Sequence, residues 1–401
     1  MGMRKVRKFL FLQGPHGSFF KRLAQELQKE GHKTIRVNFN GGDWIDYPKG
    51  IAYKHSMKMW PEWLYNFTLH NEITDIVLYG DCRPLHRLAI LRLKGSNIKI
   101  NVFEEGYIRP HWITYELDGV NGYSQIQEQI NKIIEDRRND QPFVDSFIPI
   151  KYNMRYMMRY CIRYYLFKWL GVLFFPRYKN HRPVNSLYEA IMWIKRFFIL
   201  KLKRRFVLKK ARYLTQSNTK YYLFLMQLYT DYQIREHSPY TSMKHTLIET
   251  IYSFAKFAPT YTKLVIKNHP LDSGQKNYGK LIKNICNELG ISGRIIYLDG
   301  GNLPALLEGS LAVVTVNSTA GLQAIHHKKP LKVLGTAIYN SEELVNNATL
   351  DEFWNNYKKP NQQAYTRFKN YLMRKNQING SFYDPEGVNQ LLQQIVKKLC
   401  N

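Results

Sequence analysis

Residues 101–110 read NVFEEGYIRP, with two acids and a glycine directly after the apolar run IKINVF. A strand ending at Glu104-Glu105-Gly106 delivers its carboxylates to the rim of a sheet. There Glu105 can serve as general base or nucleophile, and Arg109 can pair with an anionic substrate group. The plainer alternative is a pair of exposed acids in a turn. A second candidate is LVIKNHPLD, which puts Lys267 and His269 at the end of a strand that Pro270 stops. A histidine at a rim can donate to a phosphate oxygen and protonate a departing phosphate, although a lone histidine is more often structural. The third is VVTVNSTAGLQAIHHKKPLKVLG, with Asn317-Ser318-Thr319 at a strand-to-helix junction. Small hydroxyls and backbone amides at a helix start cradle an anion, cap the helix, or do both. The fourth is the loop LQGPHGSFFKRL, where Gly14 and Gly17 on either side of His16 let backbone approach a ligand, or simply turn the chain. It matches neither GxGxxG nor the phosphate-binding loop, so dinucleotide or ATP binding is not expected.

These pieces need strands to position them, and the sequence supplies strands. KFLFLQG reads as a strand, SFFKRLAQELQKEG as an amphipathic helix closed by Gly31, and HKTIRVNF as a second strand. TDIVLYG and IKINVFEEG are further buried strands ending in glycine. A second series follows: YYLFLMQL, a helix over 241–257, KLVIKNHP, a helix over 277–289, RIIYLDG, the short helix LPALLEG, and LAVVTVNS. Strand, helix and strand within ~30 residues imply right-handed parallel units. The expected class is therefore α/β with two Rossmann-like domains, and ligands of open α/β sheets bind outside the carboxyl ends of the strands. The candidate residues fall at those ends. The expected boundaries are 1–150, a basic helical insert over 151–212, a second domain over 213–340 and a helical tail over 341–401.

Length and composition agree. The 401 residues exceed one ordinary core, and 44% hydrophobic with 22% charged residues is a globular composition. Cys82, Cys161, Cys286 and Cys400 form no CxxC or Cys/His pattern, which suggests neither zinc nor a disulfide framework and fits a reducing compartment. The basic start MGMRKVRKFLFLQG has too short an apolar run for a signal peptide. No stretch approaches the roughly 20 apolar residues that span a bilayer. The expected location is cytoplasmic.

The net charge is +28, and residues 151–213 hold seventeen basic residues against one acid, Glu189. That stretch is also rich in Tyr, Phe, Trp and Met. Such segments bind anionic membrane surfaces; nucleic acid and a merely solvated face are the alternatives. No RNP-type aromatic motif, GXXG clamp or zinc knuckle accompanies the charge, so nucleic acid is not expected as a partner. No DxD motif occurs in the position where diphosphate-sugar donors often hold a metal, which tilts the donor toward a nucleoside-monophosphate sugar with no metal required.

Taken together, the motifs resemble bacterial sialyltransferases and related capsule enzymes of the GT-B fold, and more specifically the KpsS-type capsular polysaccharide β-Kdo transferases. The resemblance runs through FLQGPHGSFFKRLA, FEEGYIRP, MQLYTDYQIREHSPY, IKNHPLD, VNSTAGLQAIHHKKPLKVLGTAIYN, FW and INGSFYDPEG, nearly the whole chain. It implies two Rossmann-like domains facing a cleft, with CMP-Kdo as co-substrate and no cofactor. The implied acceptor is phosphatidylglycerol or its lyso form at the inner face of the cytoplasmic membrane. By that resemblance Glu105 is the catalytic carboxylate, as nucleophile or as base in a reaction that retains donor configuration. His269 contacts the donor phosphate and Ser318 and Thr319 hold it; Gln227 and Asp231 line the same cleft. Lys267, Asn317 and Arg109 join the donor side, and Gly14, His16, Gly17 and Glu104 the acceptor side. Other capsule-assembly proteins are possible partners. The alternatives are a non-catalytic capsule assembly or export component, another CMP-sugar transferase such as a sialyltransferase, and an RNA-binding protein.

Overall fold

The computed structural model describes residues 5–143, 147–150, 153–178 and 186–400, apart from some side chains between 186 and 215. Lys151, Lys179 and Arg182, and the side chains of Glu189, Lys203 and Arg204, lie outside the described residues. The strands are β1 (Lys8–Phe11), β2 (Lys33–Asn38), β3 (Ile51–Ala52), β4 (Asp75–Tyr79), β5 (Lys99–Glu105), β6 (Trp112–Leu117), β7 (Tyr221–Leu225), β8 (Lys263–Lys267), β9 (Ile295–Leu298), β10 (Val313–Thr315), β11 (Leu331–Val333) and β12 (Gln377–Asn379). They form two sheets, ordered β12-β6-β5-β4-β1-β2-β3 and β11-β10-β7-β8-β9. Every pairing is parallel except β5 with β6 and β6 with β12. The fold is α/β.

Parallel strands buried on both faces read as continuous apolar runs, and β1 shows why. Phe9 and Phe11 point to one face of the first sheet, where the helices Phe19–Lys29 and Pro385–Cys400 pack. Leu10 and Leu12 point to the other, onto the helices Trp60–His70 and Pro84–Leu93. The Phe19–Lys29 helix buries Phe19, Phe20, Leu23, Ala24 and Leu27, and the chain leaves it through Gly31 at a φ of 85°. In the second sheet Tyr222, Phe224, Leu264, Ile266 and Val314 pack against the helices Met243–Phe257 and Tyr278–Glu288 and against Phe353 and Trp354.

Strand order reverses between β1 and β4 in the first sheet and between β7 and β10 in the second. Those reversals are where open α/β sheets leave a crevice for ligands.

The compact units are Met1–Gln125 with Phe143–His181 and Tyr371–Asn401, and Ile126–Pro142 with Arg182–Asn370. They divide the chain differently from the boundaries expected above, for identifiable reasons. The basic stretch is shared: helix Met154–Leu170 belongs to the first unit and helix Ser186–Gln216 to the second. Gly41, Gly42 and Gly171 let the Met154–Leu170 segment meet the Gly41–Asp46 helix with backbone against backbone, since a Cβ on Gly41 would lie 2.2 Å from the Phe167 carbonyl oxygen. Helix Ser186–Gln216 is tied into its unit by Arg196, which pairs with Asp299 through two nitrogens and donates to the Asp272 carbonyl at 3.2 Å. Residues 126–142 join the second unit through Arg367 on Asp140 and Asn370 on the Asn139 carbonyl. The tail returns to the first unit, where β12 pairs with β6. Among the described residues no helix is long and apolar enough to cross a membrane.

Candidate active site

Glu105 is the last residue of β5 and extends two positions past Phe103, the partner of Tyr79 at the end of β4. Alternation along the strand puts Glu105 on the same face as Phe103 and Tyr79. The Tyr79 hydroxyl donates to Glu105 Oε1 at 3.3 Å, and Tyr383, which follows β12, donates to the same oxygen at 3.4 Å. Burial first, then the charge of Glu105, drives both phenols well above their ordinary pKa, so they remain protonated donors. The Arg83 guanidinium lies 4.9 Å from the centre of the Tyr79 ring.

Glu104 does something else. Alternation turns it to the face of Val102, away from Tyr79. Its Oε1 accepts the Glu105 N–H at 2.9 Å, and Gly80, at a φ of 73°, leaves room beside Oε2 that a Cβ would narrow to 3.2 Å. Burial, with the charges of Glu105 and Asp81 adding, pushes Glu104 up to about 7 against the opposing Glu105 N–H and Arg83. The two adjacent acids therefore sit in separate environments.

The turn after them is fixed from within. A Cβ on Gly106 would lie 2.2 Å from the Trp112 carbonyl oxygen, so only glycine fits. Tyr107 is buried, donates to Glu116 Oε1 at 2.7 Å and accepts the Asn121 N–H at 2.7 Å. Arg109 is exposed and folds back onto its own turn, donating to the Gly106 carbonyl at 3.1 Å.

The glycine loop approaches closely, but its neighbours are the protein's own rings. A Cβ on Gly14 would meet the Phe20 ring at 2.7 Å, and one on Gly17 would meet the Tyr160 ring at 3.0 Å. The Gly17 N–H donates to Asp46 Oδ2 at 2.8 Å, and the His16 ring packs 4.2 Å from that of Tyr164. Beneath the loop, Asp43 accepts from Gln13 at 3.0 Å, the Phe39 N–H at 2.9 Å and the Tyr164 hydroxyl at 3.0 Å, with the buried Arg36 3.6 Å away. Arg163 pairs with Asp46 at 2.6 Å. Burial raises Asp46 to about 6 despite these donors. A cavity of about 10 Å³ remains among Gly14, Arg36, Asp43, Asp46 and Tyr164, room for roughly one water. Sequence reading missed Gln13, Arg36, Asp43, Asp46 and Tyr164; the one local signal was Asn40, whose side chain caps the short helix carrying both acids.

In the second unit the structure brings Gln227, Asp231 and Asn317 together. Gln227 Nε2 donates to Asn317 Oδ1 at 2.9 Å and Asp231 Oδ2 at 3.1 Å, while Gln227 Oε1 accepts the Asn317 N–H at 3.0 Å. Asp231 also accepts the Gln233 N–H, and Asn317 donates to the Gln233 carbonyl at 2.9 Å. This brace spans the β7/β10 reversal. Ser318 Oγ accepts the Ala320 N–H at 3.2 Å, its carbonyl accepts from Tyr339 at 2.5 Å, and Thr319 precedes the short helix Ala320–His326.

Two strands from Asn317, on the same rim, Lys267 ends β8 and is buried; burial lowers its ammonium pKa, with Asp299 opposing. His269 Nδ1 accepts the Leu271 N–H at 3.1 Å, which places the ring proton on Nε2. Asn268 orients this corner: its Oδ1 accepts the His269 N–H at 2.9 Å, and its Nδ2 donates to Asp299 at 3.0 Å and Asp272 at 3.1 Å. Asn268, Asp299 and Arg196 were not foreseen as part of this rim. Glu105 belongs to the first unit and His269 to the second.

The family described as "Capsule polysaccharide biosynthesis protein" matches residues 74–383. The chain is 37% identical over 380 residues to the capsule polysaccharide export protein KpsS of Escherichia coli, covering 94% of this chain and 97% of that protein. It is 32% identical over 400 residues to the capsule polysaccharide modification protein LipB of Neisseria meningitidis serogroup A, covering 95% and 93%. Among solved structures, the Thermosulfurimonas dismutans KpsC beta Kdo 2,7 transferase aligns over 98% of both chains at 12% identity and a TM-score of 0.48. By the extent of the family match and these identities, the chain belongs to the capsule polysaccharide biosynthesis protein family.

Proposed function

We propose that this protein is a glycosyltransferase of the GT-B type. It moves Kdo from CMP-Kdo to phosphatidylglycerol or lyso-phosphatidylglycerol, starting the β-Kdo linker of a capsular polysaccharide. The observation that carries the reading is Glu105: a carboxylate at a strand's carboxyl end with two protonated phenols on one oxygen. The phenols hold Oε1, so Oε2 is the reacting oxygen. As nucleophile it bonds to the anomeric carbon of Kdo while the bond to the CMP oxygen breaks; the acceptor oxygen then bonds to that carbon as the Glu105 bond breaks, its proton passing to the released CMP phosphate, and configuration is retained. As base it takes that proton directly.

The second unit suits the leaving group. His269 Nε2–H donates to the departing phosphate oxygen, Lys267 supplies charge, and Ser318 and Thr319 present hydroxyls. A monophosphate handled in this way needs no metal. The net charge of +28 attracts a donor that is anionic at phosphate and carboxylate. The Gln227–Asp231–Asn317 brace holds the loop that carries Ser318 rather than meeting the donor with all its polar atoms. A lipid acceptor sets the workplace at the inner face of the cytoplasmic membrane.

The test is to incubate purified protein with CMP-Kdo and a lyso-phosphatidylglycerol analogue. CMP release together with a glycolipid one Kdo heavier is expected; neither product beside an active control transferase refutes the reading. A second reading, a non-catalytic export component, draws on the printed name of the 37% identical relative. It predicts lipid or polysaccharide binding without CMP release.

A further inference from the structure

We infer that the outward face of helix Met154–Leu170 and the turn after it is a bilayer-inserting surface that seats the first unit on anionic lipid. The inference rests on the lipid-acceptor reading only for the source of that lipid; the surface itself is argued from the fold.

An ordinary surface helix turns its apolar residues inward and its polar ones to solvent. Here the pattern is reversed along one row. Met154, Met158, Ile162, Leu166 and Leu170 recur every fourth residue and are all exposed, Ile162 at 66%. Trp169 at 64%, Val172, Leu173 at 87% and Phe174 extend the row through the following turn. A contiguous apolar surface of this kind marks an interaction site.

The helix cannot roll to hide the row, because its inner face is fixed. Tyr164 is buried and bonded to Asp43 and Asn40, and Arg163 is paired with Asp46. A Cβ on Gly171 would lie 2.7 Å from the Cα of Gly41, and one on Gly42 would meet Tyr164 at 2.7 Å. The outward placement of the row is thus built into the docking of the helix.

Charge selects the occupant. Arg155 and Arg159 are exposed beside the row, Lys168 lies over the Tyr165 ring, and Arg177 is exposed just beyond. The combination of inserted aliphatic side chains with flanking cations fits the boundary between acyl chains and anionic headgroups. A second copy of this chain would bring like charges face to face. Nucleic acid is bound on stacking platforms and phosphate contacts, not on rows of Met, Ile and Leu. The second unit repeats the combination independently: on helix Ser186–Gln216, Phe198, Leu202 and Phe206 are exposed at the same spacing beside Lys201, Arg205 and Lys209.

The test uses the full chain and a variant carrying Ile162→Glu, Leu166→Glu and Leu173→Glu. Wild type is expected to co-sediment with vesicles of equimolar phosphatidylglycerol and phosphatidylcholine. The triple variant is expected to bind at least ~10-fold more weakly while unfolding at the same temperature, since all three side chains are exposed. Equal binding by both proteins overturns the inference. So does wild type that ignores the vesicles, that the substitutions convert from dimer to monomer, or that loses RNA binding instead. CMP release with the acceptor dispersed in detergent separates this from the transfer reading: retained release in the variant confines the defect to docking. Release absent from both proteins, with the vesicle result intact, sinks the transfer reading and leaves the surface standing.

Discussion

Replacing Glu104 with glutamine tests whether the adjacent acids are one functional pair or two separate groups. Burial lifts the Glu104 carboxyl from an ordinary 4.5 to about 7. The native state therefore binds a proton that the unfolded chain has released, and stability falls as pH rises across that window. At ~1.36 kcal/mol per pH unit the penalty reaches about 3 kcal/mol above pH ~7. Glu104 is partly exposed, so solvent screening reduces this to ~1–3 kcal/mol. Glu104→Gln keeps the side-chain oxygen that accepts the Glu105 N–H and cannot ionise. Urea unfolding of both proteins from about pH 4.5 to about pH 8 should show the variant gaining ~1–3 kcal/mol on wild type as pH rises, with the gain levelling off above about pH 7. Asp46, Asp81 and Glu116 are raised as well, so only the difference between the two proteins reports on Glu104. Transfer activity should remain within ~3-fold of wild type, because the carboxylate faces away from Tyr79 and Tyr383. Parallel stability curves, or wild type gaining on the variant with rising pH, would refute the burial argument. A loss of activity as large as that of Glu105→Gln would refute the separation of the two acids.

Glu105→Gln and His269→Ala should each lower CMP release by ~10²-fold or more in steady-state assays, the scale of a positioned acid–base group; near-normal rates in both remove them from the mechanism. Gly171→Ala, whose Cβ would press on the Gly41 backbone, should destabilise the first unit by ~1–3 kcal/mol, read as a lower denaturant midpoint at unchanged slope. Arg196→Ala leaves Asp299 without its paired guanidinium and should destabilise the second unit by ~3 kcal/mol. Gln227→Ala strips Asn317 of two hydrogen bonds and should cost ~1–3 kcal/mol in the same measurement, with a weaker apparent affinity for CMP-Kdo than wild type.

The strands were legible because a parallel strand covered on both faces is a short apolar run, and KFLFLQG, TDIVLYG, YYLFLMQL and KLVIKNHP each read that way. Strand β12 was not: Gln377–Asn379 has one apolar residue, and its place in the first sheet rests on pairing with a strand more than 250 residues earlier. Without that pairing the tail reads as polar helix. The same distance hid the partners of the catalytic candidate. Tyr383 reaches Glu105 across 278 positions, and no spacing rule connects them. Arg196 was hidden by its company, since a run of like charges gives no sign that one member turns inward to an acid.

A motif that identifies a family need not be a motif that reacts, and this chain separates the two. Phe353 and Trp354 are fully buried, with the Trp354 indole N–H on Ser253 at 2.8 Å and its ring 5.0 Å from that of Tyr222. They are core. In QLYTD, Gln227 and Asp231 spend their polar atoms on Asn317 and on a helix cap, so their identities are fixed by a brace. In INGSFYDPEG, a Cβ on Gly380 would lie 2.6 Å from the Leu391 Cβ, so that glycine serves packing, while Tyr383, three residues on, reaches Glu105. What remains with chemistry to offer among the described residues lies at strand ends: Glu105 with its two phenols in one unit, one strand from the β1/β4 reversal, and Lys267, His269 and Ser318 in the other, Ser318 beside the β7/β10 reversal and Lys267 one strand from it. Strand alternation makes the restriction sharp. One residue of slip along β5 would exchange Glu105 with Glu104, taking the Glu105 carboxylate off the two phenols and turning it to the opposite face. Gly106, which admits no side chain against Trp112, and Tyr107, locked to Glu116, hold the register at the point where that slip would begin.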